Sequence, residues 1–177
     1  NKGNEDFFCL ASRLEGSLVL GVADGAGSVS CGAEGAELAT TSVISFLSEV
    51  ILPTSEKSWQ TLMLETAQHI HSVIETHAIS QQKEARDFAC TLLIAVLTPS
   101  FIAALQIGDG AIVGMNSETM TRLSQAAHGE YASETVFVTS QDYLEHCSCV
   151  VIPSENLTGL ALFTDGLEPV AMNLQTG

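Results

Sequence analysis

Three apolar stretches of the sequence each end at an Asp-Gly pair: Asp24-Gly25, Asp109-Gly110 and Asp165-Gly166. A further acidic pair, Glu5-Asp6, stands directly before an apolar stretch that begins at Phe7. Carboxylate oxygens are the ligands that Mg²⁺ and Mn²⁺ prefer, and a neighbouring glycine lets the backbone come close to a bound ion. The pattern therefore favours an enzyme that depends on a divalent metal.

The same pairs also have a simpler interpretation as turns. Asp-Gly after a strand is a common hairpin signal, because glycine accepts a positive φ and aspartate tolerates the turn. Any one pair by itself therefore predicts a turn. The repetition of the pair, together with Glu5-Asp6, favours a metal site, and on spacing alone both interpretations stay open.

The elements that would position these residues begin with a hairpin and two helices. Residues 7–14 and 17–23 are predicted to form two strands joined by a tight turn. Apolar residues then recur at helical spacing in residues 33–52, a helix predicted to end before Pro53, and again in residues 55–80.

The rest of the sequence is dominated by predicted strands. They cover residues 88–97, 101–107, 111–115, 135–139, 147–152 and 159–164, with a helical turn at residues 141–146 and a helix at residues 167–174. Residues 116–134 are polar and weakly periodic, which predicts a loop or flap. Strand pairs beside two long helices, without alternating β-α-β units, favour the α+β class with antiparallel sheets.

The composition limits the expected partners. The net charge is −15 with only 6 basic residues, so the surface repels phosphate backbones and anionic membranes, and we expect no nucleic-acid or membrane partner. The 5 cysteines are odd in number and include no CxxC pair, which indicates a reduced, cytoplasmic protein. A length of 177 residues suits a single domain, which we expect to be a monomer.

The order of the motifs resembles that of the PP2C-type (PPM family) protein phosphatases, in their bacterial form. The matching segments are N-E-D at residues 4–6, V-A-D-G-A-G-S at 22–28, A-C-T-L at 89–92, Q-I-G-D-G at 106–110 and F-T-D-G-L at 163–167. The resemblance implies an α-β-β-α sandwich of two antiparallel sheets flanked by helices, with two Mg²⁺ or Mn²⁺ ions and a site for a third. It also implies hydrolysis of phosphoserine and phosphothreonine in proteins by a water that bridges the metals.

The resemblance further implies a role for each acidic residue. Asp24 corresponds to the ligand that bridges the two ions, Gly25 to a carbonyl ligand, and Glu5 to a ligand of the same ion, directly or through water. Asp6 corresponds to a catalytic residue that orients metal-bound waters. Asp165 corresponds to a ligand of the other ion, and Asp109 to a ligand of a weaker third ion that it would hold together with Asp165.

The sequence departs from the family pattern in four ways. The final metal-ligand Asp would follow Gly177, and the phosphate-binding Arg is replaced by Asn1, which leaves Lys2 as the nearest candidate for substrate binding. The general-acid His of some relatives is Ala26 here. The flap is short, and His128, in or beside it, is the second candidate for substrate binding.

These departures leave an alternative function open. The domain could be a catalytically weak or inactive phosphatase fold that binds a phosphoprotein or a regulatory partner. Because the chain begins at Asn1 rather than at Met, we expect residues 1–177 to be an excerpt that lacks the extreme N-terminus and the C-terminal strand and helix of a single phosphatase-like domain.

Overall fold

Two antiparallel sheets form the framework of the protein in a computed structural model, which describes residues 4–116, 119–124 and 135–167. The strands of this part of the chain are β1 (Asp6–Ser12), β2 (Leu18–Asp24), β3 (Leu92–Leu97), β4 (Phe101–Ile107), β5 (Ala111–Met115), β6 (Met120–Arg122), β7 (Ser148–Pro153) and β8 (Gly159–Phe163). The first sheet has the order β1-β2-β3-β4-β7, and the second has the order β6-β5-β8.

Two α-helices cover one face of the first sheet. Helix α1 (Gly32–Glu49) contacts β1 and β2, and helix α2 (Glu56–Ser80) contacts β4 and β7. Ser55 caps α2 as the sequence predicts, because its Oγ accepts a hydrogen bond of 3.3 Å from the Ser58 N–H. Among the described residues, neither helix is long and apolar enough to cross a membrane.

The main core lies between these helices and the first sheet. Each helix contributes a buried apolar face at helical spacing, and every second residue of β3 meets that face. The buried residues include Ala36, Ala39, Val43 and Leu47 of α1, Met63, Ile70 and Ile74 of α2, and Leu92, Ile94 and Val96 of β3.

A smaller core lies between the two sheets. Leu93 of β3 and Ala104 of β4 pack there against Ile112 of β5. Because β3 is covered by helices on one face and by the second sheet on the other, its sequence is continuously apolar rather than alternating.

The β1–β2 hairpin sets the position of the acidic residues at the sheet end. The Arg13 N–H donates to the Ser17 carbonyl at 2.8 Å, and Gly16 has a φ of +83°, which glycine adopts without strain. The resulting antiparallel register pairs Asp6 with Asp24 at the open end of the hairpin.

The predicted α+β class with two antiparallel sheets is confirmed, and most strand bounds shift by one or two residues. The first helix ends earlier than the predicted residue 52, at Glu49. The guanidinium group of Arg13 donates to the carbonyls of Leu47 and Val50 and so satisfies the helix C-terminus. Backbone clashes with Pro53 further disfavour a helical conformation just before it.

Two predicted strands are wrong in part. The strand predicted at residues 88–97 begins only at Leu92, because Ala85–Phe88 form a 3₁₀ turn that Glu84 and Asp87 cap reciprocally. The strand predicted at residues 135–139 is reduced to an isolated bridge at Thr135, and Phe137–Ser140 make a turn with a hydrogen bond of 3.1 Å from the Phe137 N–H to Ser140 Oγ.

The predicted loop at residues 116–134 contains the short strand β6, which pairs with the edge of β5. The remainder of this flap, residues 117–118 and 125–134, lies outside the described residues, and so does the predicted helix beyond Leu167. Both candidates for substrate binding, Lys2 and His128, also lie outside them.

Candidate functional site

Two carboxylates face each other at one end of the first sheet. The register places Asp6 of β1 directly opposite Asp24 of β2. Like charges on directly opposed residues destabilise a pair of strands. Folding alone gives no reason for this arrangement, whereas a bound cation would compensate both charges.

Asp24 lies at the electrostatic centre of this sheet end. Burial raises the pKa of its carboxyl group from 3.8 to about 6, and the negative charges of Asp6, Asp165, Asp109 and Glu5 add to the increase in that order. In residues 4–116, 119–124 and 135–167, none of these five carboxylates forms a salt bridge with a basic side chain. The site therefore carries negative charge that the described part of the protein does not balance.

Thr91 holds the main chain of Asp24 in place. The Asp24 N–H donates to Thr91 Oγ1 at 2.9 Å, and the Thr91 N–H donates to the Asp24 carbonyl, also at 2.9 Å. Thr91 is only 2% exposed. Both main-chain polar groups of Asp24 are thus bound by one buried residue, so the carboxylate projects from a fixed backbone.

Gly25 is required by close packing rather than by a turn. Its N–H donates to the Glu5 carbonyl at 3.0 Å, and it forms a bridge with Cys90. A Cβ atom on Gly25 would lie 2.2 Å from the carbonyl carbon of Gly32, at the beginning of α1. The first turn of α1 therefore packs directly on the backbone of the acidic site.

Asp109 lies in a tight turn between β4 and β5. The glycines on either side of it, Gly108 and Gly110, have φ values of +89° and +94°. Thr135 Oγ1 donates to Asp109 Oδ2 at 2.9 Å, which orients the carboxylate. The turn interpretation is correct for Asp109-Gly110. The negative charge of Asp109 nevertheless contributes to the raised pKa of Asp24.

Asp165 begins a 3₁₀ turn directly after β8 and is exposed. The strand before Asp165 packs closely on the Asp109 turn. A Cβ atom on Gly110 would lie only 2.6 Å from the carbonyl oxygen of Phe163, the last residue of β8. The start of β5 and the end of β8 therefore lie together, and the charge of Asp165 contributes to the raised pKa of Asp24 at the end of β2.

The structure thus brings together all five predicted carboxylates, from Glu5, Asp6, Asp24, Asp109 and Asp165. They do not form a closed cage, since no group of three or more Asp, Glu, His or Cys side chains among the described residues is placed to hold a metal ion. Such a cage is not needed for Mg²⁺, which retains several waters and is commonly held by one or two carboxylates. The donor set is made of hard oxygen ligands with unbalanced negative charge, and it fits Mg²⁺ or Mn²⁺.

Sequence reasoning missed two supports of the site. Thr91 lies in the A-C-T-L segment at residues 89–92, but only the fold shows that it binds Asp24. Gln106 is fully buried beneath the Asp109 turn, and its signal in the sequence is a single amide in the otherwise apolar strand β4.

Comparison with known proteins places the chain among phosphatases. The family model described as Protein phosphatase 2C matches residues 1–176. Serine/threonine-protein phosphatase 3 of Escherichia coli (strain K12) is 31% identical over 153 residues, which are 86% of this chain and 60% of that protein. The chain therefore spans less than two thirds of the length of this curated relative.

Solved structures show the same fold. The serine/threonine phosphatase Stp1 from Staphylococcus aureus superposes with a TM-score of 0.76 at 15% identity, over 94% of this chain and 72% of Stp1. The catalytic domain of the phosphatase PstP, in complex with 2 manganese ions, superposes with a TM-score of 0.70 at 15% identity, over 97% of this chain and 75% of that domain. Since the family model covers nearly the whole sequence, the chain belongs to the protein phosphatase 2C family.

Proposed function

We propose that the chain is a metal-dependent phosphatase domain that hydrolyses phosphoserine and phosphothreonine in proteins. The observation that carries this proposal is the acidic end of the first sheet, where burial and then four other carboxylates raise the pKa of Asp24. Membership of the protein phosphatase 2C family and the similarity to a serine/threonine phosphatase support it.

We assign the metal ligands as the family resemblance implies. Asp24 would bridge two Mg²⁺ or Mn²⁺ ions, with Glu5 and the Gly25 carbonyl on one ion, Asp165 on the other, and Asp109 available to a third. When bound, such ions lower the pKa of a water between them and stabilise the phosphoryl oxygens of the substrate. The 2 manganese ions bound to PstP support metal binding by this fold, while the assignment of individual ligands rests on the family resemblance.

The protein's own residues supply position and charge. The hairpin register fixes the backbone positions of Asp6 and Asp24 directly opposite each other. Asp6 would accept hydrogen bonds from waters and orient them. Because the sheet end is strongly negative, it repels a phosphate dianion until cations occupy the site, which makes catalysis depend on metal. Lys2 and His128 are proposed to contact the substrate phosphate.

The remaining expectations are proposals of the same kind. We infer a single phosphatase domain that acts as a monomer on phosphoproteins in the cytoplasm, without nucleic-acid or membrane partners. The charge of −15 supports this set of partners, because it disfavours polyanionic surfaces.

The test is hydrolysis of p-nitrophenyl phosphate and of a phosphothreonine peptide by the full-length protein, with and without Mn²⁺. We expect turnover of both substrates only with Mn²⁺, and loss of turnover in Asp24→Asn. Glu65→Gln is the matched control, because it removes one carboxylate from the exposed side of α2, away from the site. It should retain wild-type turnover.

Two results would contradict the proposal. Turnover that is equal with Mn²⁺ and with a chelator would exclude a metal-dependent mechanism. Binding of Mn²⁺ without turnover of either substrate would favour the alternative, a phosphatase fold used as a binding module.

A further inference from the structure

One buried side chain supports both sides of the Asp109 turn. The Nε2 group of Gln106 donates to the carbonyl of Gly108 at 3.0 Å and to the carbonyl of Gly110 at 3.0 Å. Gln106 is 0% exposed, and it lies on β4 two residues before the turn begins. A single amide group therefore binds the backbone on either side of Asp109.

The other side of the Gln106 amide is also occupied. Its Oε1 accepts a hydrogen bond from the Ser124 hydroxyl group, and Ser124 Oγ in turn accepts from the Ile112 N–H at 3.2 Å. Arg122 completes the network by donating to the Gly110 carbonyl at 2.6 Å and to the Ser124 carbonyl at 2.9 Å. The amide orientation follows from these partners, because a reversed amide would place Oε1 against two carbonyl oxygens.

This network places a polar side chain in a strand whose other residues are apolar. Burying an amide costs free energy unless its polar atoms are hydrogen-bonded. An apolar side chain in the same place would remove the donor to the Gly108 carbonyl and the acceptor of the Ser124 hydroxyl group. What the amide adds is a fixed conformation for a turn in which two glycines have positive φ.

The turn is coupled to the centre of the site through Thr91. A Cβ on Gly108 would lie 2.7 Å from Thr91 Cγ2, so the turn packs tightly on the residue that binds the main chain of Asp24. On its outer side, Thr135 binds Asp109 Oδ2. The position of the Asp109 carboxylate relative to Asp24 therefore depends on how Gln106 holds the turn.

We propose that Gln106 is a positioning residue that fixes the Gly108–Gly110 turn, so that the Asp109 carboxylate can bind a divalent cation beside Asp24. The inference rests on the proposed metal-dependent function, and it deepens that function by naming the residue on which the Asp109 metal position depends. Gln106 acts through Asp109 and touches neither metal nor substrate.

The test is a double-mutant cycle with Gln106→Met and Asp109→Asn, measured as Mn²⁺ binding by titration calorimetry on the full-length protein. Methionine has a similar length and no N–H donor. We expect Gln106→Met to weaken the weakest Mn²⁺ binding step by about tenfold or more, as loss of a group that orients a ligand commonly does. In the Asp109→Asn background the same change should have less than about a twofold effect, because its target is already removed.

Two further variants separate positioning from a general loss of stability. Ser124→Ala removes the partner of Gln106 Oε1 and should weaken the same Mn²⁺ step, by a smaller factor. Thr66→Val removes an equally buried hydroxyl group in α2 and should leave Mn²⁺ binding unchanged. Ser124→Ala also keeps the proposal testable if Gln106→Met does not fold.

The outcomes are distinct from those of the activity test. The proposal is overturned if wild type binds no Mn²⁺, or if the two variants at Gln106 and Ser124 bind Mn²⁺ like wild type. It is also overturned if Gln106→Met has the same effect with and without Asp109. If wild type binds Mn²⁺ and the cycle shows coupling but no phosphopeptide is hydrolysed, the proposed reaction fails and the positioning role stands.

Discussion

Asp24-Gly25 and Asp109-Gly110 look alike in the sequence, yet the fold holds them by different means. Gly25 continues an extended strand end, bridged to Cys90, and its missing side chain makes room for Gly32 of α1. Asp109 lies in a turn that needs positive φ at the glycine on either side of it. Close packing on α1 and both polar groups of Thr91 hold the first pair, whereas the second depends on hydrogen bonds from the Gln106 and Thr135 side chains.

The backbone at Asp24 has several independent supports, whereas the Asp109 turn depends on individual side chains. The backbone at Asp24 is held by a strand partner, a helix terminus and the buried Thr91, so a change in one side chain leaves the other supports in place. The Asp109 turn depends on Gln106 and Thr135, which single substitutions can remove. We therefore expect a divalent cation to bind more tightly at Asp24 than at Asp109.

The largest expected effect is a loss of stability on substitution of Gly25, which packs against a helix, compared with Gly166, which does not. Gly25→Ala should lower the free energy of unfolding by about 3 kcal/mol or more, because the new methyl group would overlap the Gly32 backbone, which cannot move without shifting α1. Gly166→Ala is the matched control, since a Cβ atom added at Gly166 would meet nothing within 4 Å. This variant should change the free energy of unfolding by less than about 0.5 kcal/mol. Urea unfolding measures both. Equal stability of the two variants would contradict the packing role of Gly25.

Removal of each carboxylate tests the same contrast in activity. Asp24→Asn should lower Mn²⁺-dependent turnover by about 100-fold or more, equivalent to about 2.7 kcal/mol in the activation barrier, while Asp109→Asn should cost less than about tenfold. Steady-state hydrolysis of p-nitrophenyl phosphate at saturating Mn²⁺ provides the comparison. Near wild-type turnover of Asp24→Asn would exclude its assignment as the bridging ligand.

Metal binding should also stabilise the fold through Asp24. A ligand that binds only the native state at ten times its dissociation constant adds about 1.4 kcal/mol to the free energy of unfolding. We expect Mn²⁺ to add about this amount to the wild type and to Asp109→Asn, and to add nothing to Asp24→Asn. Thermal unfolding with and without Mn²⁺ makes the measurement. An undiminished effect in Asp24→Asn would place the ion elsewhere.

The smallest effect is a pH dependence in the absence of metal. Burial and the neighbouring carboxylates raise the pKa of Asp24 from 3.8 to about 6 on folding, so the native state holds the proton more tightly than the unfolded state. Stability from this group is therefore fully present below pH 3.8 and is lost as the pH rises through about 6. For a partly exposed carboxylate, screening by solvent reduces the loss to about 1 kcal/mol.

Asp24→Asn removes this titration and isolates its effect. In a chelator, the variant should become more stable than the wild type by about 1 kcal/mol as the pH rises from 4.5 to 7.5. Urea unfolding over this range gives the difference. A constant difference across the range would show that Asp24 does not titrate there.

The acidic residues and most of the elements follow from local sequence signals. The hairpin, the capped helix α2 and strands β4 and β5 are set by apolar periodicity and turn residues within a few positions of one another. The five candidate carboxylates are identified from strand ends and motif order alone. Local signals do not determine the end of an element when a residue from a distant part of the chain binds there. The helix predicted to reach residue 52 ends at Glu49, because Arg13 binds its last carbonyls from a distant strand.

The sequence by itself determined which residues are candidates for the chemistry, because carboxylates at strand ends and their glycines are visible as a pattern. The tertiary structure alone decided how each is held. It set Asp6 against Asp24 through the hairpin register, and it joined Asp24 to Thr91, which lies 67 residues away. It also showed that one Asp-Gly pair is a turn and another a packing contact. Close packing and buried hydrogen bonds between distant segments have no local signature, so only the folded chain reveals them.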